Sequence, residues 1–252
     1  MTAKPPIVLI HGACSQPAHF EAWRAFFSDA GYEVFVPALP GHAPSDIAVL
    51  RRQGFADYLD AMRTAVASLG QRPIVIGHSM GALIARMLAA ERLARAVVLV
   101  APLPGGRIPA PAGALPTFAV VAPFVLLGQP FRPWRGAVRR LALHSLPRAE
   151  QDEVFAGFVA ESGRVYRDLL FGRAKVKRQA VRWPMLVVHG DADRLIPLDV
   201  ARGIAEKHKA PLIVIPGQGH WLFAPSLVGD VAGQVVRWLE VDTGRVAGPQ
   251  PE

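Results

Sequence analysis

Ile74-Val75-Ile76-Gly77-His78-Ser79-Met80-Gly81 is an apolar, β-branched run that ends in Gly-x-Ser-x-Gly, and Ala82-Leu83-Ile84-Ala85-Arg86-Met87-Leu88-Ala89-Ala90 follows it as a helical sequence. The pattern predicts a strand, a sharp bend and a helix, with Ser79 at the apex. Strand and helix cross closely in such a bend, so a side chain two residues either side of the serine would collide; both positions are glycine. The bend holds the serine in a strained backbone conformation and pushes its hydroxyl out of the fold. The helix N-terminus then directs free N–H groups and a partial positive charge at the same spot. A hydroxyl so placed can attack a carbonyl, with Met80 N–H stabilising the oxyanion that forms.

Outward from this bend the chain alternates. Short apolar runs at 7–10, 33–37, 74–76, 96–100, 185–189 and 212–215 lack polar alternation, which predicts buried parallel strands. Helical patterns at 20–30, 55–69, 80–91, 198–208 and 227–239 lie between or after them. Alternating strands and helices imply right-handed crossovers and a doubly wound α/β sheet. One interval breaks the rhythm: roughly eighty residues separate Val100 from Met185, far more than a crossover needs. The interval opens with a stiff proline-rich linker (Pro102, Pro104, Pro109, Pro111, Pro116) and continues with helical patterns at 134–143, 148–161 and 165–172. It reads as a helical cap, 103–182, inserted into a core formed by 1–102 and 183–241. The Gly- and Pro-rich tail, 242–252, reads as disordered.

Composition narrows the class. About half the chain is apolar (51%), enough for a buried core, and one cysteine, Cys14, excludes an internal disulfide. Neither a signal peptide nor a membrane-spanning run is expected; the apolar stretch 114–127 is interrupted by Pro116 and Pro123. A soluble cytoplasmic protein without stable membrane insertion is therefore expected. The formal charge is +8, with arginines crowded between 132 and 182. With no aromatic-interleaved basic groove, this reads as a solvated face and not as a nucleic-acid site. No zinc-ligand spacing or phosphate-cradling loop occurs, so no metal or cofactor is expected and the partner is a small-molecule substrate. The oligomeric state is not legible.

A serine nucleophile needs a base, and histidine titrates near neutral pH. Of eight histidines, His220 follows the last predicted strand in Pro216-Gly217-Gln218-Gly219-His220, at the sheet edge where the Ser79 bend opens. His11, His78 and His189 also lie near strand ends, but His11 sits in a tight turn and His78 is expected to face away from the nucleophile; His42 reads as a loop residue. The imidazole needs an acid, and Gly190-Asp191-Ala192-Asp193 after the fifth strand offers two: Asp193 is preferred, and Asp191 reads as a turn residue. A second oxyanion donor is expected in Ile10-His11-Gly12-Ala13-Cys14, from Ala13 N–H or, as its alternative, Cys14 N–H. Cys14 itself reads as a small apolar packing residue.

Together, His11-Gly12-Ala13, Gly77-His78-Ser79-Met80-Gly81, Gly190-Asp191-Ala192-Asp193 and Gly219-His220 resemble the α/β-hydrolase superfamily over nearly the whole chain. The order Ser79, Asp193, His220 matches that of the family. The resemblance implies that the last residue of Gly-x-x-Asp, Asp193, is the acid. It also implies that the family's first two strands are missing here, leaving a mostly parallel sheet of about six strands. Val8 to Cys14 resembles, locally, the plant methylesterase and hydroxynitrile-lyase branch. Those lyases carry a lysine two residues after the base; here that residue is Leu222. Serine at the apex also departs from epoxide hydrolases and haloalkane dehalogenases, which use aspartate there.

The expected activity is that of a serine carboxylesterase working through an acyl-enzyme. Carbon–carbon bond, lactone and thioester hydrolysis, or perhydrolysis, on the same triad are the alternatives within the family. A non-catalytic receptor on the same scaffold and a membrane-surface lipase are alternatives outside that reading. Trp221 and Leu222 beside the base, and Phe118, Phe124 and Leu127 in the cap, are the expected walls of an apolar pocket.

Overall fold

The computed structural model describes residues 4–106, 115–176 and 183–241, with side chains from 119 onward in the second stretch. The expected tail at 242–252, Pro109, Pro111 and the side chain of Phe118 lie outside these residues. Six strands, β1 (Ile7–Ile10), β2 (Val34–Phe35), β3 (Ile74–His78), β4 (Ala96–Val100), β5 (Met185–Gly190) and β6 (Leu212–Ile215), form one sheet in the order β2-β1-β3-β4-β5-β6. Every pairing is parallel. The helices of the core are α1 (Glu21–Asp29), α2 (Ile47–Leu50), α3 (Phe55–Ala67), α4 (Met80–Ala90), α9 (Leu198–His208) and α10 (Val228–Val241). Between β4 and β5 come α5 (Leu115–Leu126), α6 (Arg135–Leu141), α7 (Arg148–Ala156) and α8 (Gly163–Leu170).

The apolar strands supply two cores because successive side chains point to opposite faces. Val8, Ile10, Val75, Val97, Leu99 and Val187 pack against α3, α4 and α9. Ile7, Leu9, Ile74, Ile76, Val98 and Val188 pack against α1 and α10, with Trp23 and Phe27 fully buried. Helices on both faces explain why β1, β3, β4 and β5 show no polar alternation.

Several elements differ from the sequence reading. β2 keeps two of the five expected residues, because it pairs with β1 alone at the sheet edge. The helix expected to reach residue 161 ends at Ala156, and an extended segment follows in which Glu161 pairs with Phe131. α5 occupies the stretch where prolines were expected to interrupt the apolar run. Residue 116 is second in the helix, where a missing N–H costs nothing, and the helix continues past Pro123, with Leu127 N–H bonded to Pro123 O at 3.0 Å. α2, capped by Asp46, is too short to leave a periodic signal. No helix among the described residues is long and apolar enough to cross a membrane.

Candidate active site

The parallel register brings the C-terminal ends of β1, β3, β4, β5 and β6 to one edge. Ser79 follows β3 there, with φ +53° and ψ −114°, a conformation that costs an L-residue about 1–3 kcal/mol. The bend is over-determined. Ser79 N–H donates to Val100 O at 3.0 Å, and Leu103 N–H donates to Ser79 O at 3.2 Å. A β-carbon on Gly77 would overlap the Gly81 carbonyl, and one on Gly81 would overlap Ile10 O, so both positions require glycine. At Gly12 a β-carbon would press to 3.1 Å from Ser79 Cβ, which is why the β1 loop can lie against Ser79.

His220 Nδ1 donates to Asp193 Oδ2 at 2.7 Å. That bond fixes the tautomer and leaves Nε2 as the free acceptor. Asp193 is itself locked, because Oδ1 accepts from Leu195 N–H at 2.8 Å and Ile196 N–H at 2.9 Å. Burial pushes the Asp193 carboxyl up, but His220 and the Ile196 N–H outweigh it and hold the group below its ordinary value. Asp191 is elsewhere: its carboxylate accepts from Gly217 N–H at 2.7 Å in an exposed turn. The structure thus brings Asp193, and not Asp191, to the histidine.

Among the described residues, neither Ala13 N–H nor Met80 N–H is bonded to another protein group. Cys14 N–H is taken by Glu161 Oε2 at 3.0 Å, which removes it as a free donor. Ser79, His220, Ala13, Cys14 and Met80 border one cavity of about 150 Å³. Its other walls are mostly apolar: Trp221, Leu195 and Ile196 from the core, and Val138, Phe158, Tyr166, Leu169 and Leu170 from the segment between β4 and β5.

Two groups of expected pocket residues need correction. Leu222 is fully buried in the core beneath α1 and α10, because neighbouring residues of an extended segment point in opposite directions and Trp221 takes the cavity side. Phe124 and Leu127 are 44% and 72% exposed and lie off the cavity lining, on the outer side of α5 and just beyond its end. His78 was also expected to face away, yet it borders the cavity. Its Nε2 donates to the His220 carbonyl at 3.1 Å, and its ring packs edge-on against Trp221 and Phe223. Sequence reasoning missed Phe158 and Tyr166, which carry no motif. It also missed Glu161, whose only signal is a lone acid in the weakly polar run Val159-Ala160-Glu161-Ser162-Gly163.

Three imidazoles around the site are held neutral. Burial, above all, lowers His11 and His78 to about 3 and His19 to about 4. Their hydrogen bonds fit the neutral form; His11, for example, donates from Nδ1 to Gly12 O and accepts Leu39 N–H at Nε2. In the unfolded chain these groups titrate at their ordinary value of 6.5. Below that value the unfolded state binds more protons, so the stability they contribute is complete above about pH 6.5 and is lost as pH falls toward 4 and 3. His42 has the opposite sign, being raised by Glu161 against its burial, and its contribution is lost as pH rises through its folded value. The unfolding free energy from urea titrations is therefore expected to fall between pH 6.5 and 4, with a slope of up to about 4 kcal/mol per pH unit for three protons, and the urea midpoint with it. A flat midpoint across that range would contradict the neutral assignment.

Comparison with known proteins agrees with this fold. The alpha/beta hydrolase family profile matches residues 7–233. The chain is 27% identical over 251 residues to the monoacylglycerol lipase of Mycolicibacterium smegmatis, covering 92% of this chain and 87% of that protein. In fold it is similar to the monoacylglycerol lipase of Paleococcus ferrophilus (TM-score 0.71, 21% identity, 92% and 93% of the two chains). It is also similar to a methylesterase from Arabidopsis (TM-score 0.72, 13% identity, 94% and 100%). With an all-parallel sheet, a serine at the glycine-flanked bend after β3 and a profile match along nearly the whole length, this chain belongs to the alpha/beta hydrolase family.

Proposed function

We propose that this protein is a serine carboxylesterase for esters with small to medium apolar groups. The observation that carries the reading is that His220, bonded to Asp193 at 2.7 Å, lines the same cavity that Ser79 borders. In this reading His220 Nε2 takes the Ser79 proton as Oγ attacks the ester carbonyl. Ala13 and Met80 N–H groups hold the tetrahedral oxyanion, each worth about 2.7–4 kcal/mol. His220 protonates the departing alcohol, and the acyl group stays on Ser79. Water, deprotonated by His220, then attacks the acyl carbon, and Ser79 regains its proton as the acid leaves. Asp193 keeps the ring oriented and balances its charge throughout.

The cavity bounds the substrate. At about 150 Å³ with apolar walls it matches the space that takes up one benzene ring. Activity on p-nitrophenyl esters is expected to peak at acyl chains of about four to six carbons and to fall toward palmitate. A maximum at palmitate would refute the size argument, and no turnover of any carboxylic ester would refute the carboxylesterase reading.

Phe158 closes the cavity on the side of α7, edge-on to Trp221 at 5.3 Å. Phe158→Ala should shift the optimum to longer acyl chains and lower kcat/KM for butyrate by about 1–3 kcal/mol. Leu127→Ser, at an exposed position off the lining, should leave the chain-length profile unchanged. A profile that moves with Leu127 and not with Phe158 would return the pocket to the outer side of the cap. A thermal melt run beside the kinetics separates a reshaped cavity from general loosening.

A further inference from the structure

Glu161 lies between α7 and α8, and none of its surface reaches solvent. A carboxylate so buried is strongly disfavoured unless its oxygens are paired, and both are. Oε1 accepts from the Tyr58 hydroxyl and from Ser162 N–H, each at 2.7 Å. Oε2 accepts from Cys14 N–H at 3.0 Å and meets His42 Nε2 at 3.2 Å. The peptide of Glu161 is fixed as well, by two hydrogen bonds with Phe131 at 2.8 and 3.0 Å.

What this assembly grips is the loop after β1. Val159 N–H donates to Cys14 O at 2.9 Å, so residues 159 and 161 hold the Cys14 N–H and C=O from the same short segment. Cys14 has φ +59°, a conformation that a residue with a β-carbon keeps only when its surroundings impose it. Next to it stands Ala13, whose N–H is unbonded among the described residues and borders the cavity with Ser79. Relaxation of Cys14 toward negative φ would turn the neighbouring peptides and swing Ala13 N–H off its line.

We propose that Glu161 is a positioning residue for the reaction: by tying Cys14 N–H to the segment between α7 and α8, it aims Ala13 N–H at the developing oxyanion. The inference rests on the esterase reading above. Glu161 touches no reacting atom; it acts through the loop. An oxyanion contact matters in the transition state and not in ground-state binding, so loss of aim lowers kcat and leaves KM nearly alone.

Glu161→Gln separates this role from plain support. A carboxamide accepts on one side only, whereas N–H groups or the Tyr58 hydroxyl face the carboxylate on both, so one N–H is left facing an NH2. The readouts are p-nitrophenyl butyrate kinetics and the affinity of a short alkyl trifluoromethyl ketone, beside its non-fluorinated analogue. Ser79 Oγ adds to the fluorinated carbonyl, its proton passes to His220, and the carbonyl oxygen becomes the oxyanion. The expected result is a loss of about 10–100-fold in kcat with KM changed less than about threefold. The trifluoromethyl ketone should weaken by the same factor and the plain ketone should not. If Glu161→Gln does not fold, Glu161→Asp, which keeps the charge but withdraws the oxygens by one bond, is expected to show the same paired losses, at about tenfold. Unchanged kcat in a folded variant, a loss confined to KM, or a kcat loss without weaker trifluoromethyl ketone binding would each overturn the proposal. Wild-type protein that neither turns over esters nor binds the fluorinated ketone would overturn the esterase reading, and this inference with it.

Discussion

Ser79→Ala is expected to lower kcat/KM for p-nitrophenyl butyrate by about 10⁵–10⁶-fold while the far-ultraviolet circular dichroism and melting temperature stay at their wild-type values. The size follows from the role. In the proposed mechanism there is no acyl-enzyme without Oγ, and what remains is whatever the free N–H groups and the cavity give to direct attack by water. The intact fold follows from the backbone. The bend is set by Gly77, Gly81 and the hydrogen bond from Ser79 N–H to Val100 O, none of which uses the hydroxyl. Alanine at φ +53° carries the same β-carbon as serine, so the substitution neither relieves nor adds strain. A fluorophosphonate probe should label the wild type and not the variant. Near wild-type turnover in the variant would remove Ser79 from the mechanism, and a lower melting temperature would mean that the hydroxyl also supports the bend.

The two aspartates after β5 provide the second test. Asp193→Asn should cost about 10⁴-fold in kcat, whereas Asp191→Asn should stay within about threefold. An asparagine at 193 can still accept from Leu195 and Ile196 N–H, so the loop keeps its shape. Its NH2 would then face His220 Nδ1 and force the ring into the tautomer whose Nε2 carries the proton and cannot act as a base. The Asp191 carboxylate ties down Gly217 N–H in an exposed turn, and an asparagine there can still accept that bond, so the change should cost at most about 1 kcal/mol of stability and no activity. Equal losses in the two variants would mean that the histidine draws on both carboxylates. The pH dependence of kcat in Asp193→Asn adds a check: activity should reappear at alkaline pH, where hydroxide replaces the missing base.

The sheet and its edge were legible because they depend on local patterns. β-Branched runs mark β1, β3, β4 and β5, and the glycines at 77 and 81 mark the one place where backbone must pass against backbone. Asp193 was preferred over Asp191 through the family's Gly-x-x-Asp turn, and the His220 contact agrees with that preference. Of the cavity walls, Trp221 was legible from its place beside His220; the others were not, because they are made by contacts between distant parts of the chain. Phe158 reaches Trp221 across sixty-odd positions, with no periodicity linking them. The apolar run ending at Leu127 misled for a related reason: α5 turns Val121 and Val125 inward against Phe131 and leaves Phe124 and Leu127 outside, and hydrophobicity alone does not say which face a helix hides. The His42–Glu161 pair spans 119 positions and joins two residues that look ordinary in isolation.

β4 and β5 are hydrogen-bonded neighbours, so the helices between them leave the core and return to it at adjacent strands. Exchanging that segment for another would not require any strand to be rethreaded, which makes it a natural cassette for new substrate ranges, in evolution or in the laboratory. The cassette is not self-contained, however. Cys14 N–H takes its acceptor from within it, and an amide left buried without one costs about 1–3 kcal/mol. A graft that copies the helices but omits a carboxylate at the place of Glu161 would receive the new pocket together with a loosened β1 loop. The portable unit is therefore the pocket wall plus three acidic anchors, Glu161 on Cys14 N–H, Asp168 on Phe55 N–H and Glu150 on Ser226 N–H, and chimaeras designed by helix boundaries alone would keep the last two, which lie in α8 and α7, and lose the first.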